Sequence, residues 1–193
     1  MKRDWKKHIG TAIFTIFLLV ILFVPAAKAK LIQGLMEIGL FKPDVNEKAK
    51  EANSDLSAIK FKDVNGNIVS LADLKGKIIF LNFWATWCPP CLAEMPSINK
   101  FYEQYKNDNE VVFLMIDADG DFEKAQAYLN KKEYKFKVYT FTSDLPKNIF
   151  AGSLPTTIVF DKQGRIAMNG VGAANYASDK FLTFIKQLKA LNH

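Results

Sequence analysis

The apolar positions of the chain fall into three successive patterns. Residues 9–27 carry no charge, and 16–24 are an unbroken run of Ile, Phe, Leu and Val. Such a stretch is long enough to span a bilayer. Residues 31–41 are apolar at 31, 32, 35, 36, 38, 40 and 41, which fits either a short helix lying in a membrane interface or a segment packed on a globular domain. Residues 42–53 are charged without apolar period and read as a linker. From Asp55 onward, strand and helix patterns alternate. A hairpin is predicted by the alternation at 57–63, the Asn65-Gly66 turn and the return at 68–69. A helical turn follows at 71–75, then an apolar strand at 77–83, a helix over 89–105 and a second apolar strand at 111–116. Residues 122–132 have helical spacing behind Asp121 as N-cap. A short strand at 137–141 and a short helix at 145–151 come next. Strands at 156–160 and 165–168 flank a turn, and a helix over 178–191 closes the chain. This succession predicts an α/β fold with a central mixed sheet flanked by helices.

Composition sharpens the division. With 193 residues and 49% hydrophobic content, the chain can hold one globular domain and an appendage. The formal charge of +6 suggests nucleic acid until it is located. Residues 1–30 net +5, leaving 20 basic against 19 acidic residues in the remainder. No basic patch, and so no nucleic-acid partner, is implied for the domain. Two readings of the N-terminus remain open. Pro25 and the small residues around Lys28 resemble a signal-peptide cleavage site, whereas the length of the apolar run fits a retained anchor. Lys28 inside the supposed cleavage site favours the anchor. Four positive residues before the run and two after it favour an N-terminus inside and a domain outside. The expected organisation is a signal-anchor over 1–30, an amphipathic segment and linker over 31–54, and the domain over 55–193. The domain is then extracytoplasmic, on the periplasmic face and held in a bacterial inner membrane by residues 9–27.

The two cysteines, Cys88 and Cys91, are two residues apart between the predicted strand and helix. A helix start offers unpaired N–H groups and the positive end of the helix dipole, both of which favour a thiolate. Thiol–disulfide chemistry follows from spacing and position together. Zinc needs about four ligands, and the only histidines are His8 and His193, so no metal is expected. A purely structural disulfide over so small a ring would restrict the unfolded chain little. Cys88, at the helix start, is the expected nucleophile, and Cys91, one turn on, resolves the mixed disulfide. Pro89 and Pro90 supply no backbone N–H, so the thiolate loses two donors and a reducing bias is expected. Electrons cycle through the dithiol with no other cofactor.

The segment from Phe83 to Cys91, Pro96 five residues beyond Cys91, and Leu154-Pro155-Thr156-Thr157 before a strand resemble the thioredoxin fold, and within it the exported or membrane-tethered TlpA/ResA-like branch. The resemblance covers about residues 56–191. It implies a thioredoxin-like sheet with an added N-terminal β-hairpin and an inserted αβ element across 117–150. Pro155 matches the family's cis-proline, letting Leu154 pair with an extended substrate. Glu94 matches the glutamate of Cys-x-x-Cys-x-x-Glu-x-Pro, with a proton relay to Cys91 and a solvated helix residue as its two readings. Asn82 takes the place of a buried aspartate in plain thioredoxins and cannot act as a base. Trp87 is expected to shield Cys88 and meet the partner, and Trp84 to pack in the core. The loop 117–121 superficially resembles a calcium loop but lacks the glycine and the acid that motif requires. The branch implies reduction of partner-protein disulfides, with cytochrome c maturation as the first candidate process. An upstream membrane or thioredoxin-like electron donor would recharge the dithiol. A thiol-dependent peroxidase and a copper- or haem-handling module are the alternatives. Thr86 lies two rather than three positions before Cys88, against the peroxidase.

Overall fold

The computed structural model of the chain describes residues 2–41, 43–45, 55–142 and 144–191. Most of the linker expected over 42–53 lies outside these residues. Seven strands form one mixed sheet, and their sequence patterns account for its layers. β3 (Ile78–Trp84) is buried along its whole length, as a strand covered on both faces must be. It pairs in parallel with β4 (Val111–Asp117), which pairs in parallel with β5 (Val138–Phe141). β1 (Lys60–Asp63) and β2 (Ile68–Ser70) form the expected hairpin, with β1 antiparallel to β5. On the other side of β3 lie β6 (Thr156–Phe160) and β7 (Ile166–Val171), both antiparallel, giving the order β2-β1-β5-β4-β3-β6-β7.

Alternation along β3 divides the core. Ile78, Phe80 and Trp84 face a cluster shared with three helices, α3 (Pro89–Tyr105), α4 (Phe122–Lys132) and α5 (Asp179–Ala190). Phe80 is its hub, with ring contacts to Phe101, Tyr176 and Phe181. Ile79, Leu81 and Phe83 face the second cluster, covered by Ile59, Leu71 and Ile149. Asn82 is the one polar residue in this strand, and it points to the helix-covered side between Phe80 and Trp84. The caps are where the sequence places them: Asp121 accepts from Lys124 N–H at 3.1 Å, and Ser178 from Phe181 N–H at 3.4 Å.

Two expectations about elements change. Residues 145–151 form a single turn, not a helix. Ile149 and Phe150 N–H both donate to Pro146 O, at 2.8 and 2.9 Å. Phe150 is then drawn into a stack on Phe83 at 4.4 Å, and Gly152 takes a left-handed φ of 88° that stops helical propagation. The last strand also runs beyond 168 to Val171, because its pairing with β6 continues to Thr156.

The N-terminal region contains two helices, α1 (Lys2–Phe23) and α2 (Pro25–Glu37). Val24 between them is extended, at φ −101° and ψ 107°, as the residue before a proline prefers. The apolar run 9–27 is therefore bent. Among the described residues no single helix is long and apolar enough to cross a membrane; the stretch from His8 to Phe23 and α2 reach that length only together, bent by 95°. α2 crosses the boundary drawn at 30/31. Its Ala29 and Met36 bury against Ala93 of α3, with Ile32, Leu92 and Ala173 beside them. Ile38 and Leu40 beyond it are exposed.

Candidate active site

The loop after β3 delivers both cysteines to the start of α3. Ala118 N–H donates to Trp84 O at 2.9 Å, tying the end of β3 to the loop after β4. Cys88 N–H donates to Ala85 O at 3.2 Å and closes the turn. Cys88 is the N-cap of α3, with extended φ −89° and ψ 102°. Pro89 and Pro90 follow at the first two helical positions, where a missing N–H and a fixed φ are tolerated. The first free donor is Cys91 N–H, which donates to Cys88 Sγ at 3.3 Å. Cys88 and Cys91 are joined by a disulfide with a Cα–Cα separation of 5.3 Å. Cys88 is 3% exposed and Cys91 fully buried, so access to the pair is through Cys88.

The Leu154–Pro155 peptide bond is cis. In the β3–β6 register, Phe83 pairs with Thr156. One further step of that antiparallel register sets Pro155 level with Trp84, beside the loop that carries the cysteines. Gly172 N–H donates to Pro155 O at 2.8 Å, and Thr156 Oγ1 to Ser153 O at 2.8 Å, holding this loop from both sides. Leu154 is half-buried and touches both core clusters. A hollow of about 810 Å³ lined by Phe141, Leu145 and Phe150 ends at Gly152, two residues before Leu154.

Trp87 is 61% exposed, yet its indole is fixed: Nε1 donates to Asp119 Oδ2 at 2.7 Å. Trp84 is fully buried, as expected of core packing, with its ring 5.8 Å from that of Tyr128. Glu94 is also fully buried, which disposes of the solvated reading. Asn82 Nδ2 donates to Glu94 Oε1 at 2.7 Å and to Thr157 Oγ1 at 2.9 Å, and Ala174 N–H donates to Glu94 Oε2 at 3.3 Å. Burial lifts the Glu94 carboxyl to about 8, against the two hydrogen bonds that favour its ionised form. Burial likewise pushes the Tyr176 phenol well above its ordinary range, with Glu94 acting in the same direction and a hydrogen bond with Thr157 opposing.

The structure thus brings Cys88, Cys91, Pro89, Pro90, Pro155 and Trp87 to one end of β3, with Asn82 two residues before that end and Glu94 three residues after Cys91 on α3. Sequence reasoning missed Asp119, Ala174 and Tyr176, and named Thr157 only as part of the motif around Pro155, without its bond to Asn82. Thr157 had a signal, since it lies two residues after Pro155 in the strand predicted to follow it. Asp119 had none beyond its place in a loop set aside as a failed calcium motif. Among the described residues no group of three or more His, Cys, Asp or Glu is placed to hold a metal ion. Chemically, the arrangement presents one accessible sulfur at a helix N-terminus, a second sulfur behind it and a carboxyl one turn farther on.

Three kinds of comparison bear on this geometry. The family model described as Redoxin matches residues 45–181. The chain is 38% identical over 114 residues to the thiol-disulfide oxidoreductase ResA of Bacillus anthracis, a match covering 57% of this chain and 64% of that one. It is 30% identical over 142 residues to the ResA of Halalkalibacterium halodurans, covering 70% and 78%. The chain thus spans just under two thirds of the first of these relatives. Among solved structures, a thioredoxin family thiol:disulfide interchange protein from Chlorobium tepidum superposes with a TM-score of 0.57 at 24% identity, covering 74% of this chain and 98% of that one, which bears on the fold alone. The model match, extending from the residues before the hairpin into α5, and the ResA relatives together show that this chain belongs to the Redoxin family, on its ResA-like side.

Proposed function

We propose that the chain is an extracytoplasmic thiol–disulfide oxidoreductase that reduces disulfides in partner proteins through Cys88 and Cys91. The observation that carries this reading is the Cys88–Cys91 disulfide at the N-cap of α3, in the loop that follows the β3 residue level with Pro155. The names of the ResA relatives support it. In the reduced form, the Cys88 thiolate attacks one sulfur of a partner disulfide. That S–S bond breaks, the partner's other sulfur leaves as a thiolate, and a mixed disulfide remains. Cys91 then gives up its proton, with Glu94 as acceptor, and attacks Cys88 Sγ. The second partner sulfur leaves, and the Cys88–Cys91 disulfide is restored. Two electrons pass to the partner, and a donor dithiol must return them.

Leu154 and Pro155 present backbone to an extended partner segment, and Trp87, held by Asp119, covers the approach to Cys88. Apocytochrome c cysteines awaiting haem attachment are the first substrate class to test. The exposed apolar face of α1, with Ile13, Phe14, Phe17 and Phe23 outward, supports attachment to a membrane, and the four positive residues before the apolar run support a domain outside. The test is the reduction potential of the Cys88/Cys91 couple, combined with trapping by a Cys91→Ser variant. A potential at or below about −270 mV and a mixed disulfide through Cys88 support a reductant. A potential near about −120 mV would make the pair an oxidant.

A further inference from the structure

Asn82 occupies a position where the fold alone would favour an apolar side chain. Its neighbours on that face of β3, Phe80 and Trp84, are fully buried, and so is Asn82. Its Nδ2 is saturated by Glu94 Oε1 and Thr157 Oγ1, while its Oδ1, equally buried, has no hydrogen-bond partner. A buried carbonyl oxygen without a donor is costly and calls for an explanation. Glu94 supplies one. Each of its oxygens faces a donor, Oε1 the Asn82 amide and Oε2 the Ala174 N–H. Both contacts suit a carboxylate. A carboxylic acid can keep the Ala174 bond through its carbonyl oxygen, but a proton on Oε1 would face the Asn82 NH2 and needs an acceptor there instead.

Rotating the Asn82 amide by half a turn exchanges its nitrogen and oxygen. Oδ1 then faces Glu94 Oε1 and Thr157 Oγ1 and accepts an O–H from each, while Nδ2 takes the unpartnered place, so the turn exchanges which amide atom lacks a partner. Thr157 serves both settings because a hydroxyl can accept or donate, and its hydrogen-bond partner Tyr176 carries a hydroxyl that can reverse with it. We propose that Asn82 is a positioning residue with two settings, its amide turning against Thr157 to donate to Glu94 when that group is ionised and to accept from it when it is protonated.

The inference rests on Glu94 being the proton partner of Cys91. When Cys91 attacks Cys88 Sγ, the Cys91 thiol proton passes to Glu94, the carboxyl becomes neutral and the amide turns; once that proton leaves for water the amide returns to the donating setting seen with the disulfide closed. Reduction of the disulfide by a donor dithiol brings a proton back to Cys91 by the same route. The groups acting on Glu94 are the Asn82 amide from β3, itself held by Thr157 of β6, and the Ala174 N–H and Tyr176 from the segment before α5, with Cys91 three residues earlier on its own helix; no cation or anion contributes to its proton affinity among the described residues. With the carboxyl lifted to about 8, both charge states lie within reach near neutral pH.

The test is side-chain NMR on the oxidised full chain in detergent micelles, following the Glu94 carboxyl carbon and the Asn82 amide protons together. On the alkaline side of the Glu94 transition, the Asn82 amide protons should show close contacts to Thr157. On the acid side those contacts should vanish, with the same midpoint. In Glu94→Gln the exchange between settings should no longer follow pH. Contacts to Thr157 that persist unchanged through the Glu94 transition would overturn the inference. The pH profile of the reduction potential provides the second readout. Asn82→Leu removes a partner of the carboxyl in both charge states, so the break in that profile should move by well under about one pH unit, a tenfold change in proton affinity. Thr157→Ser should leave it in place. An upward move of about one pH unit or more in Asn82→Leu, the mark of a donor that never turns, counts against the proposal. A break that survives Glu94→Gln refutes the Cys91 partnership itself. A break lost in Glu94→Gln together with a fixed Asn82 amide defeats only the two-setting inference.

Discussion

A carboxyl with no exposure and no cation beside it is rare in a folded chain, and Glu94 makes its consequences measurable. Its proton affinity rises from 4.5 in the open chain to about 8 in the fold, so between those values the folded state holds the proton more often than the unfolded one. The stabilisation is therefore complete below pH 4.5 and lost as pH rises through 8, with a slope of up to about 1.4 kcal/mol per pH unit. Urea unfolding of the oxidised chain at a series of pH values should show this decline, and Glu94→Gln should flatten it. The sequence left a buried relay and a solvated helix residue open for Glu94; the structure decides between them, with Cys91, Glu94, Ile98, Phe101 and Tyr105 in one buried row of α3. Its hydrogen-bond partners were not legible, because they depend on the β3–β6 register and on the approach of the segment before α5. Trp87 is the opposite case, visible in sequence as a neighbour of Cys88 but held by an aspartate that no motif marked. Trp87→Ala should slow reaction with a protein disulfide by about tenfold, the equivalent of ~1.4 kcal/mol of partner contact. Its reaction with a small disulfide should change far less, and stopped-flow rates on the two substrates give the comparison.

At the scale of elements, the start of α3 joins fold to chemistry. Of the donors that an N-cap side chain can use, those of the second and third helical positions, the second is Pro90 and the third is Cys91 N–H. Pro90→Ala should therefore restore a donor to the Cys88 thiolate. Its thiol should titrate about one pH unit lower, and the couple should become more oxidising. Ultraviolet thiolate absorbance against pH would check the first, and equilibration with thiol buffers the second. That α3 spans Pro89–Tyr105 was legible from the two prolines and the apolar row behind them. The central strands were legible because burial on both faces leaves continuous apolar runs. The turn at 145–151 was misread as a helix because its apolar spacing serves an aromatic stack. Phe141, Phe150 and Phe83 pack ring on ring there, and no local pattern distinguishes that from a helical face.

For the whole molecule, the segment before the domain is the part whose packing the sequence left open. Residues 31–41 fitted a membrane interface as well as a protein surface, since both reward an apolar face. Which one a helix meets is decided by long-range contacts, here Met36 and Ala29 against Ala93 of α3. α2 thus covers the flank of the same helix that begins with Cys88, and removing it bares Leu92 and Ala93, directly after Cys91 and about one turn from Cys88. Met36→Ala should cost the folded chain about 2–3 kcal/mol, the low end for emptying a buried Met site, as read by urea unfolding. A chain beginning at residue 55 should lose at least as much, because it forfeits Ala29 and Ile32 as well. The two chains should also part at a lipid surface. α1 keeps Ile13, Phe14, Phe17, Leu22 and Phe23 turned outward, more apolar surface than a water-soluble helix would leave uncovered. Mixed with liposomes, the full chain should float with the vesicles, and the chain beginning at residue 55 should stay behind. Because the bend at Val24 separates α1 from the docked α2, Met36→Ala should weaken the fold and leave flotation intact. A loss of flotation in that variant would mean that α1 and α2 meet the membrane as one unit.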